Sequence, residues 1–137
     1  MAETGAEGRT AQPSPPLDPA TSVLAAMHAV LAYRNGSLWL DEPVRGAASI
    51  AVSRKADHLV IDQIAVRKDC RGRGQATRLL AELCRYADHW GVDIALDVHP
   101  TDIKDESWLR KWYQSHGFEP NPLPSAGGYV AMTRPHR

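Results

Sequence analysis

Cysteine is scarce in this chain. Cys70 and Cys84 are the only two, and they fit neither a C-x-x-C nor a metal-ligand spacing, which excludes a disulfide framework and a cysteine metal site. A reducing, cytoplasmic setting is therefore expected. Long apolar runs are also missing: no window approaches the roughly 18 continuous apolar residues that a membrane span requires. The opening MAETGAEGRT lacks a basic stretch leading into an apolar one, so no secretory leader is expected either. An excess of one charge is absent as well, because 16 Lys and Arg offset 16 Asp and Glu. No global field then favours nucleic acid or an anionic bilayer, and recognition of a charged ligand has to come from local clusters. His89, His99 and His116 show no ligand spacing, so no metal is expected.

What remains suffices for one packed domain: 137 residues with 43% apolar content. Residues 1–20 are small, polar and rich in proline (Pro13, Pro15, Pro16, Pro19), with too little apolar surface to offset the entropy of ordering. They are read as a flexible tail, and residues 21–137 as a single domain. From Thr21 to Tyr33, apolar residues recur at helical spacing behind a Thr or Ser cap. Asn35-Gly36 is a strong turn signal, so Val30 to Arg34 reads equally well as the first arm of a hairpin. Residues 47–53 and 59–66 are β-type runs joined by a polar turn. Then the period changes. Ala76, Leu79, Leu80, Leu83, Cys84 and Ala87 mark a helix from Gly74 to Trp90, Ile94 to Val98 is a short strand, and the order strand, helix, strand predicts a βαβ unit. A helix over Glu106–His116 and a strand over 129–133 complete an α/β (α+β) layout.

Chemistry concentrates in IDQIAVRKDCRGRGQATRLL, residues 61–80. An apolar strand runs through a basic, glycine-containing turn directly into a helix. Gly72 and Gly74 allow close backbone approach and aim successive N–H groups at one point. The helix start adds unpaired donors and the positive end of its dipole, and Arg71 and Arg73 add full charges. A pyrophosphate fits such a turn. A solvated surface turn has the same composition, so the turn alone does not decide between them.

Arg71-Gly72-Arg73-Gly74-Gln75-Ala76 resembles the R/Q-x-x-G-x-G/A signature of the GNAT superfamily of N-acetyltransferases, and Ile64-Ala65-Val66 resembles that family's L-x-V strand end. Trp112-Tyr113-Gln114-Ser115-His116-Gly117-Phe118 is similar to its Y-x-x-x-G-F element. The resemblance spans about residues 47–133 and implies a GNAT-like mixed central sheet with a βαβ cofactor-binding core and flanking helices. The family's usual first strand and paired helices do not align with residues 21–45, which makes this a compact member.

The resemblance also implies roles. Backbone groups of Ile64, Ala65 and Val66 would pair with the pantetheine arm of acetyl-CoA and stabilise charge on the acetyl oxygen, which is compatible with an ordinary β ladder. The pyrophosphate would lie on N–H groups from Arg71 to Thr77: Arg71, Gly72, Arg73, Gly74, Gln75, Ala76 and Thr77. Thr77 adds a hydroxyl there or is simply a first-turn helix residue. Tyr113 takes the position of the general acid for the departing thiolate, or is a buried aromatic beside Trp108 and Trp112. Asp62 takes that of a base acting through a water, or faces solvent on the strand's alternate side. Where many relatives carry Asn, this chain has Glu106, whose simplest role is to cap the helix. Cys70 lacks a base partner, so direct transfer is expected rather than a covalent intermediate.

The acceptor implied is a primary amine, and Asp97, Asp102, Asp105 and Glu106 favour a cationic one, a protein lysine or a polyamine. In brevity the chain resembles very short viral members that acetylate a lysine of a host defence protein, which by itself fixes no acceptor. A homodimer stays open. The alternative is an acyl-CoA-binding or interaction module that keeps the fold without turnover.

Overall fold

The computed structural model describes residues 18–100, 104–122 and 127–137. Residues 1–17 of the expected tail and Asp102 lie outside them, as do residues 123–126. The first helix, α1, spans Pro19–Val30. Its cap is Asp18, whose carboxylate accepts from the Thr21 N–H at 3.0 Å, with Pro19 at the first helical position. The expected Thr or Ser cap is thus corrected by one turn, because Pro19 needs no N–H partner at that place. The helix stops at Val30, and the chain forms a hairpin of β1 (Ala32–Arg34) and β2 (Ser37–Leu40). Asn35 and Gly36, with φ of 52° and 79°, form its turn. The helical and hairpin patterns are therefore both present, one after the other.

Strands β3 (Ala48–Lys55) and β4 (His58–Val66) pair antiparallel as expected. Helix α2 (Gln75–Trp90) leads to β5 (Ile94–Val98), which is parallel to β4. Helix α3 (Glu106–Ser115), the two-residue β6 (Glu119–Pro120) and β7 (Val130–Arg134) follow. The sheet order is β1-β2-β3-β4-β5-β7-β6, with every adjacent pair antiparallel except β4 and β5. Only that pair needs a crossover, and α2 supplies it.

Helix α2 turns Leu79, Leu80, Leu83 and Ala87 inward onto β3 and β4, and α1 packs along it with Val23 and Met27. Ile50, Leu59, Ile94, Leu96, Met132 and Phe118 complete the core. Each large aliphatic side chain so buried contributes about 1.5–3 kcal/mol relative to exposure. That packing fixes the start of α2 against the C-terminal end of β4, where the basic turn lies.

Candidate active site

The site begins with a mismatch between strands. Ala51 pairs with Gln63 but Val52 pairs with Ile61, so β4 carries one extra residue, Asp62, opposite a register shift in β3. Such a bulge reverses the facing of the strand beyond it. Leu59 and Ile61 are buried before it; after it the inward residues are Ile64 and Val66. On its other side, β4 pairs with β5 only through Leu59–Ile61 against Ile94–Leu96. From Asp62 to Val66 that side has no strand partner among the described residues. Alternate backbone groups of a strand point to each side, so some N–H and C=O groups of Ile64, Ala65 and Val66 face this fork. The Val66 carbonyl accepts from Arg71 Nε at 3.3 Å.

Beyond Val66 the chain makes a 3₁₀ turn at Lys68–Cys70 and enters the glycine segment. Gly72 and Gly74 have φ of 78° and 79°, and Gly74 is the residue preceding α2, with no side chain capping the helix. The first N–H groups of α2, on Gln75, Ala76 and Thr77, are thus left to solvent or a ligand. A Cβ on Gly72 or Gly74 would meet no atom within 4 Å, so space lies open over both. Arg67 is paired with Asp69 at 2.9 Å, whereas Arg73 has no ion pair among the described residues. Gln75 is buried, and its Oε1 has no hydrogen-bond partner among the described residues. A buried acceptor without a donor is what a ligand N–H or O–H can complete. The uncapped helix, the open glycines, Arg73 and Gln75 Oε1 together fit an elongated ligand that carries phosphates and amide donors. Cys70 borders the turn but is buried, and its thiol is pushed up by burial first and then by Asp69. It is no nucleophile near neutral pH.

Two carboxylates flank the fork. Asp62 follows Ile61, and Asp97 follows Leu96, the last residues paired between β4 and β5. Both are exposed. Asp62 accepts a hydrogen bond from the Ser53 hydroxyl. Asp97 has no ion pair among the described residues. At the end of β5, the His99 and Tyr129 rings lie 4.1 Å apart.

Tyr113, on α3, packs edge-on against Phe118 with ring centroids 5.6 Å apart and lies 4.9 Å from Trp112. Burial pushes its hydroxyl up to about 12, so it stays protonated throughout the physiological range. Next to it, the Trp112 indole N–H donates to Thr77 Oγ1 at 3.2 Å, which joins α3 to the first turn of α2. The Thr77 oxygen accepts there, and its own proton remains free to donate. No hydrogen bond joins Tyr113 to Asp62 among the described residues.

Glu106 does not cap α3. Asp105 does, accepting from the Trp108 N–H at 2.8 Å, because a residue just outside the helix has the extended backbone that a cap requires. Glu106 is the first helical residue and pairs with Arg110 at 3.9 Å. Ser53 and the Trp112–Thr77 link have no local signal in the sequence: Ser53 becomes a partner through the β3–β4 register, which sets it opposite Val60, two residues from Asp62, and the indole contact through tertiary packing. No group of three or more His, Cys, Asp or Glu among the described residues is arranged to hold a metal ion, and no helix among them is long and apolar enough to cross a membrane.

The fold recurs in solved structures. The ribosomal-protein-S18-alanine N-acetyltransferase from Escherichia coli superimposes with a TM-score of 0.57 at 21% identity, covering 84% of this chain and 88% of that one. Ard1 from Thermoplasma volcanium gives 0.59 at 16% identity, covering 83% and 78%. The PaiA N-acetyltransferase from Thermoplasma acidophilum, solved in complex with coenzyme A, gives 0.56 at 16% identity, covering 73% and 58%. No curated protein sequence matches the chain. The family model for the acetyltransferase (GNAT) family matches residues 7–118, beginning well before the stretch whose resemblance is legible by eye. The fork, the uncapped glycine turn and a family match across most of the chain lead to one conclusion: this protein belongs to the GNAT family of acetyltransferases.

Proposed function

We propose that the chain transfers an acetyl group from acetyl-CoA directly to a primary amine, and that the amine belongs to a cationic acceptor. The observation that carries this reading is the fork, where β4 parts from β5 at Ile61 and Leu96 beside an uncapped glycine turn. Bound acetyl-CoA supplies the acetyl group as an activated thioester. The N–H groups of Gln75, Ala76 and Thr77, together with Arg73, hold its pyrophosphate; Gln75 Oε1 accepts from an amide N–H of its arm; the open edge of Ile64–Val66 aligns that arm. A fixed backbone N–H at that edge also stabilises negative charge as it develops on a carbonyl oxygen.

Asp62 removes a proton from the incoming ammonium, through a water because its side chain is short. Ser53, donating to the same carboxylate, holds it in place. Asp97, across the fork, adds a second negative charge toward the same cation. Tyr113, kept protonated by its burial, donates a hydrogen bond to the departing sulfur and passes its proton on as the thiolate leaves, regaining one from solvent.

The test is a thermal-shift titration with acetyl-CoA, ATP and NAD, paired with thiol release. The acceptors are a lysine peptide, spermidine and a peptide with a free N-terminal alanine, the last prompted by the name of the Escherichia coli neighbour. Stabilisation by acetyl-CoA alone with amine-dependent thiol release is expected. Stabilisation with no release from any amine would favour a binding module that retains the fold, and no stabilisation would sink the reading of the glycine turn.

A further inference from the structure

The last strand ends in a buried cation. Arg134 has 4% of its side chain exposed, and its guanidinium is shared between two helices. Nη1 and Nη2 donate to the two oxygens of Asp88 at 2.8 and 2.9 Å, and Nε donates to the His116 carbonyl at 2.7 Å. Asp88 lies in the last turn of α2 and is held below the usual carboxylate range, chiefly by Arg134. His116 is the residue that closes α3. A buried guanidinium is tolerated only when its donors are matched, and here one of them is given to a carbonyl at a helix end, where carbonyls lack partners and a cation suits the dipole.

Gly117 makes this approach feasible. Its φ is +94°, and a Cβ there would lie 3.2 Å from Arg134 Nε and closer still to the Arg137 guanidinium. The glycine of the G-F element thus has a physical reason: the chain turns tightly where Arg134 reaches past it to His116. Tyr113 belongs to the same cap, since its carbonyl accepts from the His116 N–H at 2.9 Å and the Phe118 N–H at 3.2 Å. Its ring rests on Phe118, which is fully buried.

We infer that Arg134, held by Asp88, is a positioning residue for Tyr113: by fixing the end of α3 it sets where the Tyr113 hydroxyl lies relative to α2. This rests on the reading of Tyr113 as the proton donor. Arg134→Lys keeps a charge for Asp88, but a single ammonium cannot reproduce the planar fork that serves Asp88 and the His116 carbonyl together.

Thiol release would be measured for the wild type, Arg134→Lys, Tyr113→Phe and the double variant. Arg134→Lys should lower kcat roughly 10- to 100-fold, the scale of an ångström-size misplacement, while KM for acetyl-CoA and the melting shift it induces stay unchanged. The double variant should be no slower than Tyr113→Phe, because no hydroxyl remains to misplace. An unchanged kcat in Arg134→Lys, or the same fold-loss in the Tyr113→Phe background, would overturn the proposal. Full activity in Tyr113→Phe would instead sink the proton-donor reading, an outcome that does not involve Arg134. Should Arg134→Lys lack a cooperative melt, Asp88→Asn, which keeps an acceptor for the guanidinium, must show the same dependence on Tyr113; an additive loss there also overturns the proposal.

Discussion

Replacing Gly74 by alanine separates the cost of a backbone conformation from the cost of a lost ligand. Gly74 has φ of 79° and ψ of 12°, and its Cβ would meet nothing within 4 Å. The substitution therefore introduces left-handed strain without a clash, about 1–2 kcal/mol, which in a domain of this size lowers Tm by about 3–6 °C. The ligand term is separate. At a concentration of 100 times Kd, acetyl-CoA stabilises the folded state by about 2.7 kcal/mol. A methyl group in the space over the turn keeps phosphate oxygens from the N–H groups; a 100-fold rise in Kd would leave about 0.4 kcal/mol at the same concentration. Gly36 provides a matched control, with the same φ of +79° and equally open surroundings in the β1–β2 turn. Melting curves with and without acetyl-CoA should show similar losses of intrinsic Tm for Gly36→Ala and Gly74→Ala, but only the latter should lose the ligand shift. A full ligand shift in Gly74→Ala, or its loss in Gly36→Ala, would refute the placement of the pyrophosphate.

Three further outcomes test the remaining assignments. Asp62→Asn should lower kcat/KM near neutral pH by about 100-fold, within the range of general-base removal, and Ser53→Ala should cause a smaller loss that vanishes in the Asp62→Asn background; thiol-release kinetics check both. Asp97→Asn should raise KM for spermidine more than for a peptide amine with no second positive charge nearby, and an equal rise for both would count against charge selection. Tyr113→Phe should lower kcat with KM for acetyl-CoA unchanged. It should also alter stability at high pH. In the wild type the folded hydroxyl titrates at about 12 against 10.0 in the unfolded chain, so the folded state binds the extra proton in that window and stability falls as pH rises through it. Denaturant midpoints measured across the window should fall less steeply for Tyr113→Phe.

The helices and strands were legible because burial in them is periodic. Leu79, Leu80, Leu83 and Ala87 point one way around α2 for the same reason that their spacing is visible in the sequence. The glycine turn was legible for a different reason: two glycines, two arginines and the start of an apolar helical period fall within six residues, 71–76. The start of α1 was misread because Asp18 and Thr21 are both good caps, and only the proline between them selects the first. Arg134 gave a faint signal, a charged residue in register with the buried Met132 two positions earlier, but its partners Asp88 and His116 lie 46 and 18 residues away. Contacts of that range follow from the docking of elements and not from any local pattern. The same holds for Trp112 and Thr77, 35 residues apart.

One extra residue in β4 accounts for much of the site. The apolar spacing already contains it: Leu59 and Ile61 are two apart, Ile64 and Val66 are two apart, but Ile61 and Ile64 are three apart, which no uninterrupted strand can bury on one face. A bulge at Asp62 resolves the conflict, and bulges bend and twist the strand that carries them. The parallel ladder to β5 ends at Ile61, the residue before it. Had β4 continued flat, β5 could have followed it for two more residues, through Asp97 and Val98, and the strands would have parted farther along. With the bulge, the carboxylate stands at the point where the strands part and the edge beyond it is open. Deleting Asp62, unlike substituting it, should restore the two-residue alternation and let β5 pair with β4 through Asp97 and Val98, which narrows the fork. That variant should fold and bind acetyl-CoA more weakly, whereas Asp62→Asn should retain full binding; equal binding by the two would show that the bulge does not widen the opening.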